Sequence, residues 1–206
     1  MALIKISDLS EETTPADGDL IPIVDVSTSA TKKTTRTNLF KNPPLADSSI
    51  DFNMISPGMV VQESISSFTA VATGTTVIPL DDTIPQITEG IEFMTLVFTP
   101  KSATNILVIE ANVMLASSVA NNLIAALFQG ATANALAVGL SNNQTANSAR
   151  IVNVTHSMVA GTTSGTTFRI RGGGNAAGTT TFNGASAARL FGAITKSTFK
   201  ITEYKV

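Results

Sequence analysis

The stretch Asn105-Ile-Leu-Val-Ile-Glu-Ala-Asn-Val-Met-Leu115 decides the fold of this chain. Every second residue from Leu107 to Leu115 is apolar, whereas the intervening positions include Glu110 and Asn112. A period of two is the pattern of a β-strand that buries one face and exposes the other. The stretch therefore predicts a strand that packs one side into a hydrophobic core.

Short runs of apolar and β-branched residues extend this pattern along most of the chain. Clusters of Gly and Asn separate them, which is typical of turns between strands. The further predicted strands are residues 59–63, 68–71, 75–80, 93–98, 123–129, 135–140, 151–160, 166–171, 179–182 and 198–205. Short, evenly spaced strands favour a β-sandwich or barrel over a layout of alternating strands and helices.

Three local patterns give more specific expectations. Residues 93–98 are apolar at successive positions, which predicts a strand in the interior of a sheet. Residues 116–137 are rich in Ala and Leu, so a partly helical segment stays open beside a tightly packed strand. The pair Asn183-Gly184 is the strongest signal for a tight hairpin turn.

The first 45 residues form a separate unit. Residues 20–26 and 31–36 are short β-like runs joined by a turn, which predicts a small hairpin. Pro43-Pro44 marks a stiff boundary after it. The predicted organisation is an arm at residues 1–45, a linker at residues 46–58 and one β-domain at residues 59–206.

Composition limits the function classes. Only 14% of the residues are charged and the net charge is -2, against about 25% charged residues in an average protein. This balance gives no reason to expect nucleic acid or an anionic membrane as a partner. The chain has no cysteine, which removes disulfides, zinc–thiolate sites and thiol nucleophiles. We also expect no membrane insertion and no secretion signal, because the apolar runs are too short for either.

The residues that could carry chemistry are few, and we expect no enzyme. His156 is the single histidine, and its strand neighbours Val154 and Met158 favour a packed or interfacial role over a catalytic one. The acidic pair Asp81-Asp82 could help to hold a divalent cation, but a turn stabilised by the aspartates is the better interpretation. We therefore predict no catalytic residue, no metal and no cofactor. A carboxylate pair for glycoside cleavage stays open, since distance in the fold defines such pairs.

The phrase Thr14-Pro-Ala-Asp-Gly-Asp-Leu-Ile-Pro-Ile-Val-Asp-Val26, followed by Thr31-Lys-Lys-Thr-Thr-Arg36 and Asn38-Leu39, resembles the N-terminal module of tailed-bacteriophage fibre and spike proteins. In that family the segment joins the fibre to the particle or to the next virion protein. The resemblance implies that residues 1–45 anchor the chain to a capsid or tail protein. The implied docking residues are Leu20, Ile21, Ile23, Val24, Lys32, Lys33, Arg36, Leu39 and Phe40.

A second resemblance covers residues 59–206. The segments Asp81-Asp-Thr-Ile-Pro-Gln-Ile-Thr-Glu-Gly90, Thr99-Pro-Lys-Ser-Ala-Thr-Asn-Ile-Leu-Val-Ile-Glu110, Ala126-Leu-Phe128, Thr181-Phe-Asn-Gly and Arg189-Leu-Phe-Gly192 are similar to those of phage fibre knobs. That family implies an all-β, jelly-roll-like sandwich that assembles as a homotrimer. It also implies a virion protein that is assembled in the host cytoplasm and released by lysis.

At 206 residues the chain lacks the long shaft of typical tail fibres, so the resemblance favours a short head fibre or capsid decoration over a tail-fibre tip. Residues 172–174, three glycines, together with Asn175 are expected to form a surface loop at the apex of the trimer. Arg169, Arg171 and Asn175 are then candidate contacts to a host surface glycan or to a neighbouring subunit. The rival functions are a glycan depolymerase and a free lectin or signalling-like trimer.

Two physical arguments favour partners for both parts. An arm of 45 residues cannot bury enough apolar surface to be stable alone, so it needs a partner surface. In the β-domain, strands that are apolar on both faces leave a second face to cover, and a threefold homotrimer would cover it.

Overall fold

The computed structural model describes residues 20–25, 30–35 and 55–206. The chain divides into two compact units, Met1–Asp51 and Phe52–Val206. The division lies within the predicted linker at residues 46–58, and the exact domain bounds stay a prediction. No α-helix occurs in the described residues.

The described part of the first unit is the predicted hairpin. Strand β1 (Leu20–Asp25) pairs antiparallel with β2 (Ala30–Thr35). Lys32 lies across from Ile23, and Lys33 lies across from Pro22. The predicted docking residues Arg36, Leu39 and Phe40 lie outside the described residues.

The second unit is built from twelve further strands, which confirms the predicted all-β fold. Their bounds are β3 (Val60–Phe68), β4 (Ala72–Gly74), β5 (Ile91–Phe98), β6 (Ile106–Ser117), β7 (Asn121–Gln129), β8 (Ala137–Asn143), β9 (Arg150–Val159), β10 (Thr166–Gly174), β11 (Thr180–Phe182), β12 (Gly184–Ala185), β13 (Ala188–Arg189) and β14 (Ser197–Tyr204).

Eight of these strands form two antiparallel sheets. One sheet has the order β3-β14-β6-β9, and the short β11 and β4 extend it beyond the end of β14. The other sheet has the order β5-β10-β7-β8. If the eight long strands are counted in chain order, the sheets read 1-8-3-6 and 2-7-4-5, which is the strand pairing of a jelly roll.

The main core lies between the two sheets. The residues that predicted the fold, Leu107, Ile109, Ala111, Val113 and Leu115, are all at most 2% exposed and face inward from β6. They pack against apolar residues of the second sheet, including Phe168, Ile170, Leu123 and Leu127. The period-two prediction for this strand is therefore confirmed.

A smaller cluster lies on the outer face of the four-stranded sheet. Ile78, in the loop between β4 and β5, is fully buried against Ile124, Ala126 and Phe128 of β7. The loop therefore forms a third layer over part of this sheet. Burial of the Ile78 side chain stabilises this arrangement, since burial of apolar surface is the main favourable contribution to the free energy of folding.

A buried carboxylate ties the loop after β5 to the last strand. Glu203 of β14 is 0% exposed and accepts hydrogen bonds from Lys101 N, Ser102 N, Asn105 Nδ2 and Gln62 Nε2. Because a buried polar group is costly unless it is hydrogen-bonded, these four donors explain how a glutamate is tolerated inside the sandwich.

Two sequence predictions were wrong in detail, and the structure also decides one alternative that the sequence left open. Residues 75–80 form no strand, because they cross the outer face of the sheet at Ile78. Strand β5 is an edge strand, and Val97 on its outer face is 60% exposed. The Ala-rich segment contains β7 and no helix, since its small residues Ala125 and Ala126 are buried on opposite faces of the sheet.

The predicted turn at Asn183-Gly184 was also misplaced. The hairpin β12–β13 turns at Ser186 and Ala187, which both have left-handed backbones with φ of 51° and 59°. Asn183 precedes this hairpin, and its buried amide donates to Phe68 O and accepts from Ser197 Oγ. Asn183 therefore links β3 and β14 rather than forming the turn.

Candidate interaction surface

His156 and Asp81, the candidate residues for catalysis and metal binding, lie where they can stabilise the fold. His156 is half-buried on the inward side of β9, with Val154 and Met158, as the packed interpretation predicted. Within residues 55–206 and the hairpin strands, no group of three His, Cys, Asp or Glu side chains is placed to hold a metal ion.

Asp81 forms a turn, which is the structure that the sequence favoured at this position. Its carboxylate accepts hydrogen bonds from the backbone N–H of Thr83 at 2.9 Å and from the Thr83 hydroxyl. The Thr83 hydroxyl, followed by its backbone N–H, lowers the pKa of Asp81 below its usual value. The aspartate is therefore held as an anion by its own turn.

Arg169 and Arg171, the predicted apex contacts, are both engaged within the chain. Glu92 lies 3.1 Å from Arg169 Nε and 3.7 Å from Arg171 Nη1. Arg171 also donates to the carbonyls of Glu89 and Gly90, and Arg169 donates to Gly130 O. These contacts hold the loop before β5 to the sheet. A role of the two arginines in receptor binding stays a prediction.

The three glycines after Arg171 do not form the expected surface loop. Gly172, Gly173 and Gly174 are buried and belong to β10. A Cβ atom at Gly173 would lie 2.8 Å from Thr76 O, and Ile78 N donates to Gly174 O at 3.0 Å. Gly173 is needed because another backbone segment passes directly over it, whereas a Cβ at Gly172 or Gly174 would press on side chains of Leu115, Phe93 or Asn121.

Asn175, the third predicted contact, lies in a group of amides at one end of the sandwich. Its Oδ1 accepts from Asn122 N at 2.7 Å, and Asn142 Nδ2 donates to Asn122 Oδ1 at 3.1 Å. Asn143, which follows Asn142 in β8, is 1% exposed, and its side-chain amide has no partner among the described residues. The structure therefore brings Asn175 together with other amides and not with Arg169 or Arg171. Its predicted contact with a glycan or a neighbouring subunit stays untested.

The outer face of the six-stranded sheet carries a line of charges at its centre. Lys200 Nζ lies 2.6 Å from Glu110 Oε2 and 3.9 Å from Glu63 Oε2. The hydrogen bond that Lys200 donates to Glu110 is the main cause that raises the pKa of Lys200 above its usual value. Ile65, beside Lys200 in the register, is 60% exposed. This face is therefore a mixed polar and apolar surface.

The most unusual backbone of the described chain lies between β13 and β14. Phe191, Gly192 and Ala193 are consecutive residues with left-handed backbones, at φ of 49°, 64° and 69°. A left-handed backbone costs a bulky residue such as Phe roughly 1–2 kcal/mol. Such strain persists only where the surrounding structure enforces it, and it is often found at functional sites.

The same segment exposes two large apolar side chains. Phe191 is 75% exposed and Ile194 is 85% exposed, the two highest values among the large hydrophobic residues that the structure describes. We call residues 190–194 the apolar loop. An exposed aromatic on a strained loop marks a candidate interaction surface.

A groove lies beside the apolar loop. It has a volume of about 460 Å³. Its lining residues are Thr69, Ala70, Val71, Ala187, Arg189 and Ala193. Arg189 is exposed and makes no side-chain ion pair or hydrogen bond with another described residue. The groove thus combines small side chains with a cation that has no partner in the described part of the chain.

Sequence reasoning did not single out the apolar loop as a surface. The quoted Arg189-Leu-Phe-Gly192 motif contributed only to a family resemblance. A usable signal was present, because Leu190, Phe191, Ala193 and Ile194 form an apolar run without alternation, interrupted by Gly192. Such a run between two strands fits neither a half-buried strand nor a polar turn.

No helix in the described part of the chain is long and apolar enough to cross a membrane. No protein-family model and no curated protein matches the sequence.

Solved structures with similar architecture include proteins of several kinds. The Eiger TNF of S. frugiperda is 8% identical with a TM-score of 0.41, and the match covers 68% of this chain and 92% of that one. The C-terminal domain of EclA, a sugar-binding protein, is 11% identical with a TM-score of 0.31, and the match covers 75% and 97%.

A structure of infectious bursal disease virus, strain Gx, is 11% identical with a TM-score of 0.33. That match covers 92% of this chain and 42% of the viral chain. The structural neighbours thus include viral proteins, a TNF and a sugar-binding domain. At these identities and TM-scores, the similarities do not transfer a function.

Proposed function

We propose that this chain is a structural virion protein of a tailed phage. In this proposal it forms a short homotrimeric fibre or capsid decoration, anchored to another virion protein through residues 1–45. The jelly-roll knob faces outward, where it either contacts host surface glycan or simply decorates the capsid. The protein is assembled in the host cytoplasm and leaves by lysis.

The observation that carries the proposal is the exposure of Phe191 and Ile194 on a strained loop of a jelly-roll domain. Exposed apolar side chains of this size are unfavourable in water, and association covers them. Attachment to a virus particle is supported by residues 14–39, which resemble the anchor segment of the fibre family. Strands β1 and β2 form a hairpin within this segment.

We propose a role in binding rather than in catalysis. Several charged residues of the knob make structural contacts, since Arg169 and Arg171 both bind Glu92 and Glu203 holds the loop after β5. Groups that are saturated with internal partners are poorly placed to act on a substrate.

The test is immuno-electron microscopy of virions whose genome carries this chain. We expect an antibody against the knob to label the particle at regular positions, and in-frame deletion of residues 1–45 to remove the label. An unlabelled wild-type particle would contradict the proposal. Labelling of the head would support the fibre or decoration, and labelling of the tail tip would support the receptor-binding alternative instead.

A further inference from the structure

This inference rests on the proposed function and names the contact that assembles the homotrimer. We propose that the apolar loop of one chain docks into the groove of a second copy, with Phe191 as the inserted side chain. Three such contacts, each between the loop of one chain and the groove of the next, close the ring.

The chemistry of the groove defines its occupant. Ala70, Ala187 and Ala193 leave room for a flat apolar group. Arg189 adds a guanidinium without a partner among the described residues. A cation of this kind is attracted to the face of an aromatic ring, and the attraction is stronger when the pair is removed from water. The groove therefore fits an aromatic side chain.

The chain itself presents such a side chain close to the groove. Phe191 is 75% exposed and is not among the residues that line its own groove, although Arg189 and Ala193 on either side of it are. The ring is therefore available to the groove of another copy. Ile194, 85% exposed, widens the apolar contact on the same loop.

The strained backbone explains how the ring is presented. The left-handed residues Phe191, Gly192 and Ala193 form a tight turn that pushes the side chain outward. The single chain already holds the loop in this conformation, so docking does not have to spend conformational entropy on ordering it. Burial of a Phe ring is among the largest single contributions that a side chain makes to an interface.

The geometry of the contact also sets the symmetry. Phe191 lies outside the groove, although Ala193 of the same loop lines it. A contact in which the ring of each chain enters the groove of the next is therefore heterologous and joins copies head to tail. Such contacts produce a closed ring when the rotation between neighbours closes. A homotrimer is the smallest ring of this type beyond a pair, and it is the assembly that the fibre resemblance implies.

The first experiment measures the mass of the full-length chain by sedimentation equilibrium, for the wild type and for Phe191→Asn. Asn accepts a left-handed backbone more readily than Phe, so the variant keeps the turn while it removes the ring. We expect the dissociation constant of the trimer to rise at least about tenfold. Ile84→Asn, which changes another loop residue that is 55% exposed, is the matched control and leaves association unchanged.

The second experiment uses the absence of cysteine from the sequence. Phe191→Cys and Ala70→Cys are introduced into separate, differently tagged full-length chains, which are then co-expressed and oxidised. A disulfide between the two chains can only be intermolecular, and we expect it to form in high yield. Co-expression of Phe191→Cys with Ile84→Cys is the control and gives no such product.

The outcomes separate the two proposals. If the wild type is trimeric but Phe191→Asn associates equally well and no disulfide forms, the docking inference is wrong and the homotrimer stands. If deletion of residues 1–45 disperses the trimer while Phe191→Asn does not, the arm holds the copies together and the inference is again wrong. A wild type that is monomeric at every concentration contradicts both.

Discussion

Two segments between strands differ in how far their apolar side chains are buried. One is residues 75–90, which we call the tethered segment, and the other is the apolar loop at residues 190–194. In the tethered segment Ile78 is fully buried, and Arg171 binds the carbonyls of Glu89 and Gly90. In the apolar loop, Phe191 and Ile194 face solvent. Ile78 packs on a sheet face within its own chain, although Leu80 and Ile84 of the same segment are exposed. Neither Phe191 nor Ile194 is buried in this way.

The difference teaches that exposure, more than apolarity, separates a structural loop from an interaction surface. Both segments are rich in apolar residues, and only their partners differ. We therefore expect removal of the buried Ile78 side chain to lower stability without altering association, and removal of the exposed Phe191 ring to do the reverse. Backbone changes should also cost more in the tethered segment than in the apolar loop. The following variants test this division, from the largest expected effect to the smallest.

Ile78→Ala should destabilise the knob most. Ile78 is 0% exposed, so its truncation leaves a cavity beneath the tethered segment and lowers the free energy of unfolding by about 2–4 kcal/mol. The measurement is urea denaturation of the full chain. Leu80→Ala, in the same segment at 54% exposure, is the control and should change stability by less than about 0.5 kcal/mol. Equal effects of the two variants would mean that the segment is not packed on the sheet.

Gly173→Ala should separate the tethered segment from β10. The added Cβ would lie 2.8 Å from Thr76 O and 3.3 Å from Ile78 N, both backbone atoms that cannot rotate away. We expect a loss of about 1–3 kcal/mol, and a lower melting temperature in calorimetry.

Gly192→Ala is the matched glycine variant in the apolar loop. No atom lies within 4 Å of a Cβ at this position, and only the left-handed φ of 64° opposes the change. The cost should therefore be about 1 kcal/mol. A larger loss here than at Gly173 would contradict the view that the tethered segment is the tightly packed one.

Ala193→Gly should raise stability slightly. Ala193 has φ of 69°, a conformation that glycine adopts without the Cβ penalty. The gain is reduced by the greater freedom of glycine in the unfolded chain, so we expect about 0.5 kcal/mol. Thermal unfolding of the variant beside the wild type measures it. A clear decrease would show that the backbone of the apolar loop is not strained.

The smallest effect concerns pH. The pKa of Asp81 is lowered by the Thr83 hydroxyl and backbone N–H, so the turn gains stability above the unfolded value of 3.8 and loses it as pH falls through the lowered pKa. In Thr83→Val, which lacks the hydroxyl, the pKa of Asp81 should return toward 3.8. Carboxyl-carbon NMR titration reads this directly. The same pKa in both variants would exclude the hydroxyl as the cause.

The sequence predicted the parts of the fold in which burial alternates residue by residue. Leu107 to Leu115 on β6 form such a pattern, because one face meets the core along the whole strand. The pairing of β1 with β2 was also predictable, since a turn between two β-like runs specifies a hairpin.

The sequence misled where contacts between distant segments decide the structure. Gly172 to Gly174 resemble a turn, yet they lie inside β10, where the backbone at Thr76 crosses over Gly173. Phe191 resembles a core residue in the sequence, and only the folded structure shows that its side chain is 75% exposed. Period and propensity describe neighbours in sequence and carry no information about such crossings.

The most direct test of the account is the native mass of the unmodified full-length chain in solution. Sedimentation equilibrium over a wide concentration range should show a single assembly of three times the 21.4 kDa chain mass. A chain that sediments at 21.4 kDa at every concentration would show that Phe191 and Ile194 are stable in water, and the account of the apolar loop would fail.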